Sequence, residues 1–296
     1  MNTHILAQEF GYLEPKTIEE AVLQLKTYGD KAKVIAGGTD LIVRMKMDMI
    51  HPEYLINIAR IPALRHLIHD KGLRIGALTP FQELEKSALI RGKYTALSEA
   101  AQSVSCAQIK NMGTVGGNLC HASPAADSAP PLMVLGGKLK LVGEGHDRVV
   151  SIEDFYVGPG KTVLSSRELL IEVQLPESKD NTGSAFLKVS RVAADLAKLN
   201  VAVAVEREKD VCRSCRIALG SVASKPLRAV EAEGILKGKK LTEVLIEKTS
   251  ERASEEIKPI TDIRSTLQYR KDVSKVLVRD AIKIAWERAK NQKSTN

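Results

Sequence analysis

Apolar residues along the chain switch between two periods, and the switches divide it into blocks. Ile18, Ala21, Val22 and Leu25 share one face at helical spacing. Pro15 precedes them, Thr17 and Glu20 stand at the spacing of a capping box, and Gly29-Asp30 ends the run. Val34-Ile35-Ala36 reads as a short buried strand running into Gly37-Gly38. With a second strand expected at residues 55–58, residues 1–58 form a β-α-β entry unit. Apolar runs at 64–68 and 73–77 flank His69-Asp70-Lys71-Gly72 and predict a hairpin. Thr79-Pro80-Phe81-Gln82 predicts a helix start, with Thr79 at the cap, Pro80 in the first turn and Gln82 closing the box. A longer helix is expected over residues 94–108, then a loop rich in Gly, Asn and Pro over 111–131, then strands at 138–142 and 169–175.

Past Pro176 the pattern resets. Residues 185–189, 201–206 and 213–219 read as strands of an antiparallel sheet, and helical spacing follows at 227–236, 241–256 and 271–290. Strands followed by helices predict an α+β unit. The polar, turn-rich stretch at 176–183 is the expected boundary. It leaves a first domain over 1–178, subdivided at residue 58 into 1–58 and a mixed sheet-and-helix part over 59–178, and a C-terminal domain over 183–290.

Composition narrows the classes. Aromatics are only 4% of 296 residues, so the core must be built from Leu, Ile, Val and Ala. No apolar run approaches the roughly 20 residues of a membrane span. Residues 1–5 show no basic start before an apolar block, and four cysteines make no disulfide scaffold, so a cytoplasmic chain is expected. Forty-four basic against 36 acidic residues give +8. The basic residues are scattered and seldom interleave with aromatics. That favours a solvated surface over nucleic-acid binding and leaves the docking of an acidic partner open.

Two glycine loops carry the candidate chemistry. In Val34-Ile35-Ala36-Gly37-Gly38-Thr39-Asp40-Leu41, a strand ends in two glycines and a threonine. Without Cβ atoms in the way, consecutive N–H groups can face phosphate oxygens and the hydroxyl adds a donor. A tight strand-to-helix turn explains the same residues. Gly113-Thr114-Val115-Gly116-Gly117-Asn118 offers similar donors, with Ser123-Pro124-Ala125-Ala126-Asp127 behind it. A carboxylate repels pyrophosphate, so Asp127 suits ribose or ribityl hydroxyls, or else caps a helix over 128–135. There is no G-x-G-x-x-G after a strand. Gly158-Pro159-Gly160-Lys161-Thr162 lacks the upstream glycine of a P-loop.

Together the two loops resemble the paired FAD signatures of the xanthine dehydrogenase family. The chain as a whole is similar to the separate FAD-binding medium subunit of bacterial and archaeal molybdenum hydroxylases of the carbon monoxide dehydrogenase type. Residues 216–227, RIALGSVASKPL, resemble the opening of that subunit's C-terminal domain. The resemblance implies an α+β fold: a two-subdomain FAD-binding unit of the vanillyl-alcohol oxidase (PCMH) type plus a small α+β C-terminal domain. It implies cofactor contacts from Lys33, Val34, Ile35, Ala36, Gly37, Gly38, Thr39 and Asp40. It implies others from Thr114, Val115, Gly116, Gly117 and Asn118, and from Ser105, Asp127, the backbone of Leu170, and Lys188. Lys188 sits in an apolar strand, where it can stabilise a reduced flavin or simply face the surface. Residues 190–199, with Arg191 and Asp195, resemble a loop beside the flavin ring.

The partners so implied are a large molybdenum-cofactor subunit and a small 2Fe–2S subunit. Electrons would pass through FAD here to NAD or another acceptor, with no catalytic side chain, metal, nucleic acid or membrane span on this chain. A self-sufficient flavin oxidoreductase on the same fold, or a non-redox nucleotide-binding scaffold, are the alternatives. Cys212-Arg213-Ser214-Cys215 is read as ordinary thiols, because a strand would point the two sulfurs to opposite faces. His121 is read as a hydrogen-bonded loop residue.

Overall fold

The computed structural model describes residues 8–291. The first block comprises β1 (Gly11–Leu13), α1 (Ile18–Tyr28), β2 (Ala32–Ile35), α2 (Leu41–Lys46) and β3 (Tyr54–Asn57). Its three strands form a parallel sheet in the order β1-β3-β2. α1 covers it with Ala21, Val22 and Leu25, which pack on Ile56 and Ile58. Thr17 Oγ accepts the Glu20 N–H (3.2 Å), while the Glu20 carboxylate takes the N–H of Lys16 rather than that of Thr17 (2.7 Å). The box therefore closes one residue early. β1 and α2 were not legible in the pattern, being too short to show a period.

The second block contains β4 (Leu67–His69), β5 (Gly72–Gly76), α3 (Phe81–Lys86), α4 (Ala88–Lys93), α5 (Thr95–Ser103), α6 (Ala107–Met112), α7 (Val115–His121) and α8 (Ala129–Val134). It continues with β6 (Lys138–Gly143), β7 (His146–Ser151), α9 (Ile152–Phe155), β8 (Tyr156–Gly158), β9 (Lys161–Thr162) and β10 (Glu168–Pro176). Five strands pair antiparallel in the order β4-β5-β10-β6-β7, with the most apolar strand, β10, at the centre. Three expectations change here. Thr79 does not cap α3; it is fully buried and its hydroxyl donates to the His66 carbonyl (3.1 Å). The single helix expected over 94–108 is broken into α5 and α6 at Ser105, whose φ is +38°. The expected loop over 111–131 contains α7 and the first turn of α8, the latter matching the helix offered as an alternative over 128–135; their apolar faces (Val115, Leu119, Leu132, Met133) are buried in the core.

The third block comprises β11 (Thr182–Val189), β12 (Leu199–Glu208), β13 (Val211–Gly220), β14 (Leu227–Arg228), α10 (Val230–Leu236), β15 (Lys239–Lys240), α11 (Glu243–Glu256) and α12 (Leu267–Asn291). β11, β12, β13 and β14 follow in order as an antiparallel sheet, with β15 also on β13. Both faces of β12 are covered. Val201, Val203 and Val205 point into a core shared with α10–α12, while Ala202 and Ala204 join the core of the second block beside Leu97 and Met133. Small side chains on that face let the sheet lie directly on α5 and α8.

The expectation for the C-x-x-C pair is corrected. The β12–β13 register slips between Glu206↔Ser214 and Arg207↔Cys212, a β-bulge that leaves Arg213 as the extra residue. The bulge cancels the alternation, so Cys212 and Cys215 both enter the same core.

Candidate cofactor-binding cleft

The first glycine loop leaves β2 after Ile35, whose carbonyl is taken by the Ile58 N–H (3.0 Å). Gly38 adopts φ +70°, which only glycine enters at no cost. Asp40 then starts α2 without capping it. The carbonyls of Gly38 and Asp40 accept from the N–H groups of Ile42 and Arg44. The N–H groups of residues 37–41, by contrast, meet no protein acceptor among the described residues. A run of donors without acceptors, next to a helix start, is what an anion requires. Lys33 on β2 is exposed, and Val34, Ile35 and Ala36 are half-buried.

The second loop lies directly against the first. A Cβ on Gly37 would sit 1.8 Å from the Met112 carbonyl oxygen, and one on Gly113 would sit 3.7 Å from Thr39 Oγ1. Asp40 Oδ1 lies 3.6 Å from Nε2 of His121, at the end of α7. His121 thus stands beside the first loop, a placement no spacing in the sequence announces.

The two loops differ in chemistry, contrary to the expectation that both offer free donors. Thr114 Oγ1 accepts the Gly117 N–H (3.1 Å) and the Thr114 carbonyl accepts that of Asn118 (3.0 Å). The Val115 N–H goes to Thr79 and that of Gly116 to Ala77 (3.0 and 2.9 Å). Gly116 is glycine because α7 packs its backbone onto the end of β5: a Cβ there would lie 2.7 Å from that of Ala77. The first loop therefore presents the donors, and the second fixes the shape of the cleft. Asn118 Oδ1 accepts from the Ser128 hydroxyl (2.6 Å), which turns its amide nitrogen the other way.

The remaining expected residues divide. Ser105, half-buried with φ +38°, sits in the strained turn between α5 and α6. Leu170 is buried in β10, its backbone paired with Leu141 just before a bulge. Asp127 and Lys188 meet each other: Nζ of Lys188 is 2.6 Å from Asp127 Oδ2 and 3.0 Å from the Ser103 carbonyl. Asn200 Nδ2 donates to Asp127 Oδ1 (2.7 Å). Burial pushes the Asp127 carboxyl up, and the Lys188 ammonium and Asn200 amide pull it down. Neither the helix-cap reading of Asp127 nor the surface reading of Lys188 survives. Asn200 was missed, although a lone amide in the run Leu199-Asn200-Val201-Ala202-Val203 signals a buried polar partner.

Comparison with known proteins bears on what this cleft holds. Residues 8–178 match the family described as the FAD binding domain in molybdopterin dehydrogenase, and residues 184–285 match the CO dehydrogenase flavoprotein C-terminal domain. The carbon monoxide dehydrogenase medium chain of Hydrogenophaga pseudoflava is 32% identical over 286 residues, covering 96% of this chain and 99% of that one. The glyceraldehyde dehydrogenase medium chain of Sulfolobus acidocaldarius is 32% identical over 276 residues, covering 93% and 98%. A solved carbon monoxide dehydrogenase from H. pseudoflava superposes with a TM-score of 0.93 at 32% identity, covering 96% of this chain and 99% of that one. The chain belongs to the FAD-binding medium subunits of the xanthine dehydrogenase and carbon monoxide dehydrogenase family.

Proposed function

We propose that this FAD-binding subunit of a molybdenum hydroxylase complex is its electron junction, taking electrons from 2Fe–2S clusters on a small partner and delivering them to an external acceptor such as NAD. A large partner carrying the molybdenum cofactor oxidises the substrate. The observation that carries the reading is the run of acceptor-free N–H groups over residues 37–41, set against the Met112-Gly113 backbone. A dinucleotide pyrophosphate brings two charges and needs such donors, so the residues present fit the group.

On this reading the N–H groups of Gly37, Gly38, Thr39, Asp40 and Leu41 hold the pyrophosphate, with the Thr39 hydroxyl and Asn118 amide beside it. Lys33, Val34, Ile35 and Ala36 bring the strand to it. Ser105 and the backbone of Leu170 complete the lining. Thr114, Val115, Gly116 and Gly117 set the distance between the walls. When bound, FAD supplies a ring that accepts electrons singly and releases them singly or in pairs. The chain's own part is to bind, orient and exclude water, with no side chain acting as acid or base. No helix among the described residues is long and apolar enough to cross a membrane.

The test is an absorption spectrum of the purified chain before and after anaerobic reduction, with the released cofactor identified. Bands near ~370 and ~450 nm that bleach, with FAD released, are expected. Reduction of the assembled complex by NADH then tests the acceptor. A chain that stays colourless in excess FAD overturns the reading in favour of a scaffold. Substrate turnover without partner subunits would instead reveal a self-sufficient oxidoreductase.

A further inference from the structure

The C-terminal sheet grips the preceding part of the chain at several places, Arg228 on Glu153 (2.8 Å) and Lys225 on the Tyr156 carbonyl (3.1 Å) among them, and one group of contacts adjoins the proposed site. Away from it, Arg288 on α12 pairs with Glu99 on α5 (2.5 and 3.1 Å), and Glu99 also accepts the Phe186 N–H (2.8 Å). Ser184 Oγ accepts the Ala96 N–H (3.1 Å). Beside the site, Lys188 and Asn200 are direct cross-strand partners on β11 and β12, and both reach Asp127. The same Lys188 ammonium holds the carbonyl of Ser103. One step along, Ser221 donates its N–H to Pro124 (2.7 Å) and its hydroxyl to Ala197 (3.0 Å).

Ser103 ends α5, two residues before Ser105, and Pro124 and Asp127 lie in the segment that leaves α7. One cation therefore bridges the two segments that, on the cofactor reading, flank the site. Lys188 and Asp127 side chains are 7% and 8% exposed, and Asn200 is fully buried. Turning the Asn200 amide over would set its oxygen against the Asp127 carboxylate, so charge fixes its orientation. A buried pair of this kind is either engaged or apart, because a partly opened one strands a charge away from water.

We infer that Lys188 and Asn200 are positioning residues: through Asp127 and Ser103 they set the spacing of the cleft, so FAD binding and docking of the C-terminal sheet are one linked equilibrium. The inference rests on the cofactor reading above. A ligand that needs both flanks in place favours the engaged cluster, and by linkage the engaged cluster favours the ligand by the same factor.

The experiment is hydrogen exchange on the full chain with and without FAD, alongside FAD titration of the wild type and of Lys188→Met, Lys188→Arg, Asn200→Leu and Arg288→Met. In the wild type, FAD is expected to slow exchange in residues 37–41 and also in β11 and β12. Asn200→Leu keeps the shape and lies outside the site. It should lose the protection of β11 and β12 and weaken FAD by about tenfold or more. Lys188→Met should do the same, and Lys188→Arg should restore part of both. Arg288→Met, which loosens the same docking far from the site, should weaken FAD only as far as β11 and β12 lose protection in it. Unchanged exchange in α11 and α12 certifies that each variant is folded. Protection confined to 37–41 in the wild type, or weakened FAD in Lys188→Met with β11 and β12 still protected, overturns the coupling while sparing the cofactor reading. Absence of any FAD binding by the wild type overturns both.

Discussion

Gly37→Ala tests the convergence of the two loops on which the site depends. The added Cβ would lie 1.8 Å from the Met112 carbonyl oxygen and 2.6 Å from its carbon. Ordinary non-bonded contacts begin near ~3.5 Å, so the two backbones must part by roughly 1.5 Å. Neither wall can yield by turning a side chain, since both atoms are backbone. Overpacking of this kind costs about 1–3 kcal/mol of stability. The greater effect falls on the ligand. A hydrogen bond to a charged group is worth about 1.5–3 kcal/mol, so losing one of the outward N–H contacts weakens FAD roughly ten- to hundredfold. Gly38→Ala is the control. Its φ of +70° costs about 1 kcal/mol, but its Cβ meets only side-chain atoms of Ile35 and Ile42, at 3.3 Å. The assay is fluorescence titration of the apo chain with FAD, paired with a thermal melt. A Gly37→Ala chain that binds FAD within about threefold of wild type, a difference under ~0.7 kcal/mol, refutes the argument.

Thr114→Val removes the hydroxyl that accepts the Gly117 N–H and should cost about 1 kcal/mol in urea unfolding, with Thr114→Ser largely neutral. Glu168, 4% exposed, is held at about 2 chiefly by the Arg148 guanidinium. Its folded-state value lies below its unfolded one, so its contribution is complete above about pH 4.5 and is lost as pH falls toward 2. Denaturation at successive pH values should show a fall on the order of 2–3 kcal/mol that Arg148→Met sharply reduces, the Ser165 N–H and His146 still lowering Glu168; parallel curves for the two proteins would contradict this. Thiol labelling should proceed in stages. Exposed Cys106, its thiol lowered by the neighbouring Ile109 N–H, should react first. Cys120 should lag, because its dense surroundings hold the thiol up at about 12 although the residue reaches the surface. Buried Cys212 and Cys215 should react only on unfolding; their modification in the native protein would disprove the packing described for the bulge.

Long periodic segments spoke for themselves in the sequence. The α1 stripe, the hairpin of β4 and β5, the strands from β10 to β13 and the helices α10–α12 follow from spacing that any neighbour would bury in the same way. The glycine loops were legible as candidate chemistry too, because Gly37-Gly38-Thr39 after an apolar strand has few uses. What the sequence hid depends on atoms distant along the chain. α7 looked like loop because Gly116 and Gly117 depress helix propensity, and only the contact with Ala77 makes a glycine there an asset. The two glycine loops looked alike, yet the carbonyls of Thr79 and Ala77 take the N–H groups of Val115 and Gly116, Thr114 takes those of Gly117 and Asn118, and those of residues 37–41 are left free. Asp127 and Lys188 were read one by one as candidate ligand contacts, and only the fold shows that they also pair with each other and with Asn200. The C-x-x-C failed the alternation rule because one bulge, set by pairing with β12, shifts the phase. Local period and turn chemistry determine which elements form. Which donors stay free and which charges meet is decided only when segments about 60 residues apart, such as Asp127 and Lys188, are brought together, because hydrogen bonds and ion pairs act over a few ångströms of space and are blind to sequence distance.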